Sequence, residues 1–332
     1  MSAIIGVDVG STTMSGGLVT AEGEILTAVQ IPTHRDGRGS ALDTLVEIVG
    51  GLLTEARGRE IALLGVGVGL PGLVDGGKGI MRSSANHVPE FHGVPLADRL
   101  AAQTGLPAFV DNDVNALALA EWAFGLRRGA RSLVLLAIGT GIGGGIILNS
   151  ELVRGPSGYA GELGHMTVNF RGPLCGVCGS RGCMAAYLDG VQIAAQARAL
   201  MTARAGGSEP GLITAPMVFE AAAVGDRLAA RIVDEACEAL AAGLGAIVNA
   251  LNPQVLVVTG GVATSLAPLE ADIVRRVASY ALEAALEETR IAIVPSDKRT
   301  TARGGAALVL YELARREHLV ATRSDLHEAR EG

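Results

Sequence analysis

One supersecondary pattern occurs twice in this chain and limits the folds open to it. An apolar run over residues 4–9 enters a turn of glycine and hydroxyl residues, and further apolar runs follow at 17–19 and 25–26. About 130 residues later, an apolar run at 133–138 enters a glycine-rich turn at 139–145, and apolar runs follow again. The recurrence of this order predicts two related α/β halves.

Helical periodicity separates these strand-rich segments. Apolar residues spaced three and four positions apart predict helices, and short apolar runs closed by glycine predict strands. The predicted helices cover about 41–57, 218–224, 226–251 and 304–316, and the predicted strands between them cover 63–69 and 255–259. This alternation of helices and strands is typical of an α/β protein.

The chain has 332 residues, of which 49% are hydrophobic, so it is long enough for two domains and its composition excludes disorder. We expect a small N-terminal α/β domain over residues 1–122, completed by the helix at about 304–316. A larger α/β domain is expected over residues 123–303. The charged residues 317–332 lack periodicity, and we expect this tail to fray.

The net charge argues against several classes of partner, although a local basic groove stays open. A net charge of −7 opposes general binding to nucleic acid or to an anionic membrane. The only two lysines are Lys78 and Lys298, so a mechanism that needs a lysine in a glycine-rich loop is excluded. No basic leader precedes the apolar run that begins at Ile4, and polar residues interrupt the charge-free stretch between Glu238 and Glu270. We therefore expect a cytoplasmic protein with no membrane partner.

Three glycine-rich turns each follow an apolar strand, at Gly10 to Thr13, at Gly139 to Gly145, and at Gly260 with Gly261. One such glycine is most often structural, but three turns together indicate phosphate binding, because exposed backbone N–H groups bind phosphate oxygens. The turn at 139–145 leads into another strand, which does not fit the dinucleotide-binding fingerprint. Hydroxyl groups can add donors without a lysine, and they belong to Ser11, Thr12, Thr13 and Thr140.

Carboxylates and amides cluster where a predicted strand joins an alanine-rich helix. These residues are Asp111, Asn112, Asp113 and Asn115. Asp111 or Asn112 can serve simply as a helix cap. Beside phosphate-binding turns, one of the two carboxylates is also a candidate general base for a substrate hydroxyl.

The cysteines form the most specific motif. Three of the four are Cys175, Cys178 and Cys183, and His165 lies ten residues before the first of them. One imidazole and three thiolates complete a tetrahedral zinc site of the closed, structural kind, whereas disulfides are disfavoured in a cytosolic protein. The remaining Cys237 lies on the apolar face of a predicted helix and is expected to be a small core residue.

Glu162 lies three residues before the histidine of this motif. It is either a solvated surface acid or, held in place by the neighbouring metal ligand, an acceptor for a sugar hydroxyl.

Taken together, the motifs resemble those of the ROK (repressor, open reading frame, kinase) family of sugar kinases from Ile4 to about Leu313. The segment from Gly161 through the cysteines is the most specific part of this resemblance. The matching motifs, in chain order, are Asp8-Val9-Gly10-Ser11-Thr12, Leu70-Pro71-Gly72, Ser84-Ala85-Asn86, Asn112-Asp113 with Asn115, Gly139 to Gly145, Gly161-Glu162-Leu163-Gly164-His165, the cysteine cluster and Gly260-Gly261.

The resemblance implies an actin-like ATPase fold, with two RNase H-like domains around a central cleft, and a homodimer. It implies glucokinase-like phosphorylation of the primary (6-) hydroxyl of a hexose by ATP, with Asp113 as general base and Asp8 holding Mg²⁺ through water. The remaining nucleotide contacts are implied for Gly10, Ser11, Thr12, Thr13, Gly139, Thr140, Gly141, Gly143, Gly260 and Gly261. The sugar contacts are implied for Gly72, Ser84, Asn86, Asn112, Asp113, Glu162 and His165, and structural Zn²⁺ for His165, Cys175, Cys178 and Cys183.

Three positions depart from the family pattern. Thr13 stands where the first turn usually has lysine, and one additional residue separates Cys175 from Cys178. Ala185 replaces a glutamate that contacts the anomeric side of the sugar in glucokinase-like members. A kinase for an amino sugar, an N-acyl sugar or a cyclitol is therefore an alternative.

A non-catalytic sugar-sensing regulator, as in the repressor branch of the family, is a second alternative. That branch carries an N-terminal helix-turn-helix, and the expected first strand at Ile4 leaves no room for one.

Overall fold

The computed structural model of this chain describes residues 1–37, 39–83, 87–125, 129–204, 211–297 and 301–331, with side chains for all of these except Arg204 and residues 319–331. The chain forms two compact units, and each has its own hydrophobic core. The first unit comprises Met1–Gly129, Arg154–Tyr159 and Asp297–Gly332, and the second comprises Ala130–Val153 and Ala160–Ser296.

A five-stranded mixed sheet organises the first unit. Its strands are β1 (Ser2–Val9), β2 (Thr13–Val19), β3 (Ile25–Pro32), β4 (Ala62–Leu70) and β7 (Ala108–Asn112), in the order β3-β2-β1-β4-β7. β2 runs antiparallel to β1 and β3, whereas β4 is parallel to both β1 and β7. A separate hairpin consists of β5 (Leu73–Asp75) and β6 (Ile80–Ser83).

Helices cover both faces of this sheet. They are α1 (Ala41–Gly58), α2 (Leu96–Thr104), α3 (Asp113–Phe124) and α11 (Ala302–Glu331). Side chains alternate across a strand, so Ile5 and Val7 join the apolar cluster of α1 while Gly6 faces α11. α11 lies so close to the sheet that a side chain at Gly67 would overlap the carbonyl oxygen of Gly305. Glycine at this position is therefore a requirement of packing.

The helix α11 is longer than predicted. It begins at Ala302 and continues to Glu331, so residues 317–331 are helical where we expected a frayed tail. Between Ala306 and Glu331 the chain has neither glycine nor proline, and most residues there favour helix. The tail has no apolar stripe, and periodicity alone therefore missed it.

The second unit repeats the sheet topology of the first. Its strands are β8 (Leu133–Ile138), β9 (Ile142–Leu148), β10 (Glu151–Leu152), β11 (Val255–Thr259) and β12 (Arg290–Ile293), in the order β10-β9-β8-β11-β12. β9 is antiparallel to β8 and β10, and β11 is parallel to β8 and β12. The prediction of two related α/β halves is confirmed by this shared strand order.

One long helix, α7 (Arg227–Leu251), dominates the core of the second unit. Asp226 caps its first turn by accepting from the N–H groups of Leu228 and Ala229, each at 2.9 Å. Cys237 is buried on this helix, as expected of a core residue. Among the described residues, no helix has the length and apolar character needed to cross a membrane. The other helices are α4 (Ala185–Leu188), α5 (Gly190–Arg204), α6 (Ala215–Ala223), α8 (Ala263–Leu266), α9 (Glu270–Val277) and α10 (Glu283–Glu287).

Candidate active site

The amino-terminal end of α3 organises a polar cluster in the first unit. Asn112, at the end of β7, caps α3 by accepting from the N–H groups of Val114 (2.9 Å) and Asn115 (3.1 Å). Its amide group donates to the carbonyl oxygen of Gly72 (3.0 Å) and to the carboxylate of Asp113 (2.9 Å). The predicted sugar-site residues Gly72, Asn112 and Asp113 therefore lie in one hydrogen-bonded cluster, and the cap is Asn112 rather than Asp111.

Asp113, whose carboxyl group belongs to this cluster, is half-buried. Burial raises the pKa of this carboxyl to about 7, and the negative charge of Asp8 adds to the rise. Hydrogen bonds from the N–H of Val114 and the amide of Asn112 oppose the rise by stabilising the carboxylate. A pKa near neutrality suits a group that must take up a proton in each catalytic cycle.

The first glycine turn joins β1 to β2 in the same unit. Asp8 lies near the end of β1, in register with Gly69 of β4. The Thr33 hydroxyl donates to the carbonyl oxygen of Gly10 (2.7 Å) and supports the turn. Two predicted ligands, Ser84 and Asn86, lie outside the described residues. The turn leaves exposed two hydroxyl side chains, those of Ser11 and Thr12, while Thr13 is half-buried at the start of β2.

The second glycine turn joins β8 to β9 in the second unit. The N–H of Gly139 donates to the carbonyl oxygen of Gly141 (2.8 Å), and Thr140 between them is exposed. A Cβ at Gly139 or Gly141 would have no protein atom within 4 Å, so packing does not require glycine at either position. The N–H of Gly190, at the start of α5, donates to the carbonyl of Gly139 (2.8 Å). Gly143 follows inside β9.

The third glycine turn follows β11. Gly260 has a φ of +102°, and a Cβ there would overlap the backbone of Ile138 at the end of β8. The N–H of Val262 donates to the carbonyl oxygen of Ile138 (2.9 Å). Gly261 is exposed, with open space around it. The second and third turns therefore lie side by side at the carboxyl ends of two neighbouring strands.

His165 and three cysteines form a compact donor set in the second unit. One ring nitrogen of His165 and the sulfur atoms of Cys175, Cys178 and Cys183 all lie within 4.8 Å of one another. Nδ1 of His165 is 3.8 Å from the Cys175 sulfur, and the sulfurs of Cys178 and Cys183 are 3.4 Å apart. In a tetrahedral zinc–thiolate site the sulfurs are about 3.8 Å apart, so this donor set fits zinc in chemistry and in spacing.

The additional residue in the cysteine loop does not keep Cys175 away from the cluster. The N–H of Cys175 donates to the carbonyl oxygen of Ser180 (2.8 Å), which closes the loop. Hydrogen bonds from Ser180 lower the pKa of Cys178 to about 6, whereas burial raises that of Cys183 to about 12. Cysteines bind a metal as thiolates, so a metal bound by both would displace any proton that they still carry.

The other ring nitrogen of His165 faces a carboxylate. Nε2 lies 3.9 Å from Oε2 of Glu162, whose side chain is half exposed. Two predicted sugar-site residues therefore lie side by side next to the donor set.

Two residues without a sequence motif lie beside the predicted ones. Asp189 is buried, its Oδ1 accepts from the N–H of Gln192 (2.7 Å), and burial raises the pKa of its carboxyl group while hydrogen bonds from the N–H groups of Gln192 and Val191 oppose the rise. Its position just before α5 is the capping signal that would have drawn attention to it. Arg154 contacts Asp111, which is 43 residues away in sequence, and no local pattern indicates this contact.

Ala185 is buried at the start of α4 and belongs to the apolar core. The position where glucokinase-like members were expected to carry a glutamate thus offers no polar side-chain atom.

Comparison with known proteins places the chain in a family. Residues 4–312 match the ROK family. The chain belongs to this family. A glucokinase from Thermotoga maritima is 34% identical over 315 residues, which cover 92% of this chain and 96% of the glucokinase.

Solved structures of ROK proteins are similar to this chain over most of its length. The ROK hexokinase of Thermus thermophilus has a TM-score of 0.77 at 28% identity, with 94% of this chain and 99% of the hexokinase covered. A ROK family glucokinase from Streptomyces griseus, in complex with glucose and AMPPNP, has a TM-score of 0.70 at 30% identity, with 92% and 99% covered. These relatives confirm the predictions of the actin-like ATPase fold and of an ATP-dependent sugar kinase.

Proposed function

We propose that this ROK protein transfers the γ-phosphoryl group of ATP to the primary (6-) hydroxyl of a hexose, and that Asp113 is the general base. The observation that carries the proposal is the environment of Asp113, a carboxyl group with a pKa of about 7 held by Asn112 at the start of α3. Phosphoryl transfer requires positioning and charge stabilisation more than covalent catalysis, which suits such a site.

In this reaction, Asp113 accepts the proton of the sugar hydroxyl as its oxygen attacks the γ-phosphorus in line. Asn112 orients the carboxylate through its amide group and also offers a ligand to a sugar hydroxyl. Glu162 and His165 are the further proposed hydroxyl ligands. ATP bound with Mg²⁺ supplies the phosphoryl group and the cation that balances its charge, and the half-buried carboxylate of Asp8 fits the role of holding Mg²⁺ through water.

Backbone donors in the glycine turns are the proposed phosphate ligands. Open space surrounds Gly139, Gly141 and Gly261, so packing against the protein does not explain why these residues are glycines. Phosphate binding would explain it, because a side chain at such a position blocks access to the N–H groups. The exposed hydroxyls of Ser11 and Thr12 add donors, in place of the lysine that the first turn lacks.

Zinc is the proposed structural ion of the second unit. His165, Cys175, Cys178 and Cys183 would hold it as a closed four-ligand site, which cross-links the loop and leaves no position for activated water. Nδ1 of His165 is the nitrogen nearest the cysteines, so Nε2 would stay available beside Glu162. Cytoplasmic localisation and a homodimer stay predictions.

A kinase for an amino sugar, an N-acyl sugar or a cyclitol is the second candidate. The buried apolar Ala185 supports it, because an acceptor expected for glucose is missing at this position. An ADP-release assay over glucose, mannose, glucosamine, N-acetylglucosamine, N-acetylmannosamine and myo-inositol separates the candidates. The largest kcat/KM identifies the substrate class, and no sugar-dependent ADP release from any of them would favour a non-catalytic regulator.

Replacement of the base tests the mechanism. We expect Asp113→Asn to lower kcat by about 10³-fold while sugar binding measured by calorimetry changes little, because asparagine keeps the shape but cannot accept the proton. Asp43→Asn, on the exposed surface of α1, is the matched control and should retain wild-type turnover. An Asp113→Asn variant with most of its kcat would remove Asp113 from the base role.

A further inference from the structure

A buried ionic chain connects α11 to the amino-terminal end of α3 in the first unit. Nε of Arg154 lies 2.6 Å from Oδ2 of Asp111, and Nη2 lies 2.6 Å from Oε1 of Glu312. The side chain of Asp111 is 1% exposed and that of Arg154 is 17% exposed. The guanidinium also lies 5.7 Å from the ring centre of Tyr311. Two carboxylates and an aromatic face therefore fix the position of this one cation.

The other oxygen of Asp111 leads to the proposed base. Oδ1 accepts from the N–H of Asn112 (2.7 Å) and from the side-chain amide of Asn115 (3.0 Å). Asn112 then donates to the carboxylate of Asp113 (2.9 Å). A continuous series of contacts thus runs from Arg154 through Asp111 and Asn112 to Asp113.

Arg154 supplies the counterion of the buried Asp111 carboxyl group. A buried carboxylate without a counterion costs more free energy than the ion pair does, and it escapes that cost by taking up a proton or by moving. Burial lowers the pKa of Arg154, but the charges of Asp111 and Glu312 outweigh this effect and raise it, so the guanidinium stays charged. Loss of Arg154 would therefore change the acceptor that orients Asn112 and Asn115.

We propose that Arg154 is a positioning residue for the Asp113 base. It holds Asp111 in place, Asp111 fixes the orientation of Asn112, and Asn112 fixes the carboxylate of Asp113. This inference rests on the proposed role of Asp113. Arg154 is also the first residue of the segment Arg154–Tyr159, so its ion pairs anchor that segment within the first unit.

The test measures kcat and KM in Arg154 variants, per folded molecule, in the sugar-dependent ADP-release assay. We expect Arg154→Gln to lower kcat by about 10²-fold, with KM for sugar and ATP within about three-fold, because a displaced base slows chemistry and leaves binding intact. Arg154→Lys keeps the charge but lacks the forked guanidinium that reaches two carboxylates. Its kcat should lie between those of the wild type and Arg154→Gln. In the double variant with Asp111→Asn, the Asp111 charge is removed together with its partner, and Glu312 keeps Arg315 as a partner at 3.7 Å. The kcat of this variant should therefore exceed that of Arg154→Gln by about ten-fold.

Arg276→Gln is the matched control, because Arg276 pairs with three carboxylates of the second unit, those of Asp234, Glu238 and Asp272. It should retain the wild-type kcat. Thermal unfolding is measured for each variant. If Arg154→Gln does not fold, the kcat values of Arg154→Lys and of the double variant test the positioning role. A kcat within about three-fold of wild type in the folded Arg154 variants would overturn the positioning role, even with a lower Tm.

Asp113→Asn keeps the two proposals apart. If Asp113→Asn is inactive while the Arg154 variants turn over normally, only the positioning role fails. If Asp113→Asn is active, the proposed base itself is wrong.

Discussion

The two units have sheets of the same strand order and direction, yet different chemistry follows the strands. In the first unit, hydrogen bonds among carboxylates and amides at the end of β7 place Asp113, while burial and the charge of Asp8 raise its pKa. In the second unit, glycine turns follow β8 and β11, and a donor set for a metal lies in a loop. A topology thus fixes where a site lies on a sheet, while the residues at the strand ends decide its chemistry.

Removal of zinc should affect the second unit most strongly. Cys178→Ser removes one of four ligands, and the zinc content should fall from about one ion per chain to none. The sugar KM should rise by about 10²-fold, because His165 loses the metal that orients it. Metal analysis by mass spectrometry and steady-state kinetics measure the two effects. Cys237→Ala, at the fourth cysteine, should keep the zinc, and wild-type protein purified without chelator and free of zinc would refute the site.

A side chain at Gly67 should affect the first unit alone. We expect Gly67→Ala to destabilise the protein by about 3 kcal/mol, because the added Cβ overlaps the backbone of α11 at Gly305. Gly51→Ala is the control, since Gly51 is an exposed position inside α1 with nothing within 4 Å of the new Cβ. That change should stabilise by about 0.5 to 1 kcal/mol. Denaturant unfolding measures the free energy of unfolding of both variants. Equal changes in the two would contradict the close approach of α11 to Gly67.

The pH dependence tests the carboxylate of the first unit. Because Asp113 has a pKa of about 7 and must be ionised to act as the proposed base, kcat/KM should fall about ten-fold per pH unit below 7. The raised pKa of Asp113 has the opposite effect on stability. The contribution of this carboxyl group to the free energy of unfolding is fully present below about pH 4 and is lost as the pH rises through 7. Thermal unfolding at pH 5 and pH 8 should differ less in Asp113→Asn than in wild type. An equal difference in both proteins would contradict the raised pKa.

Local patterns in the sequence were enough to predict the duplicated halves, the glycine turns and the cysteine cluster. Each of these depends on residues close in sequence, such as the strand before Gly139 or the spacing around Cys178. The position between a strand and a helix indicated Asp111 and Asp113 together, and the resemblance to the ROK family selected Asp113 as the candidate base.

Features that depend on distant residues could not be predicted in this way. The ion pairs of Arg154 with Asp111 and Glu312 join residues 43 and 158 positions apart, and nothing in the sequence around an isolated arginine specifies such partners. The segment Arg154–Tyr159, expected within the second domain, lies in the first unit for the same reason. The raised pKa of Asp113 likewise depends on Asp8, which only the sheet brings near.

The packing of α11 on β1 and β4 has a consequence for biosynthesis. The ribosome completes the strands of the first sheet before residue 130, but it reaches Ala302 about 170 residues later, roughly 10 to 30 s at usual elongation rates. During that interval, the glycine-lined face around Gly67 lacks its helix while the strands of the second unit are made, the last of them ending at Ile293. The half of the protein that is begun first is therefore the half that is completed last.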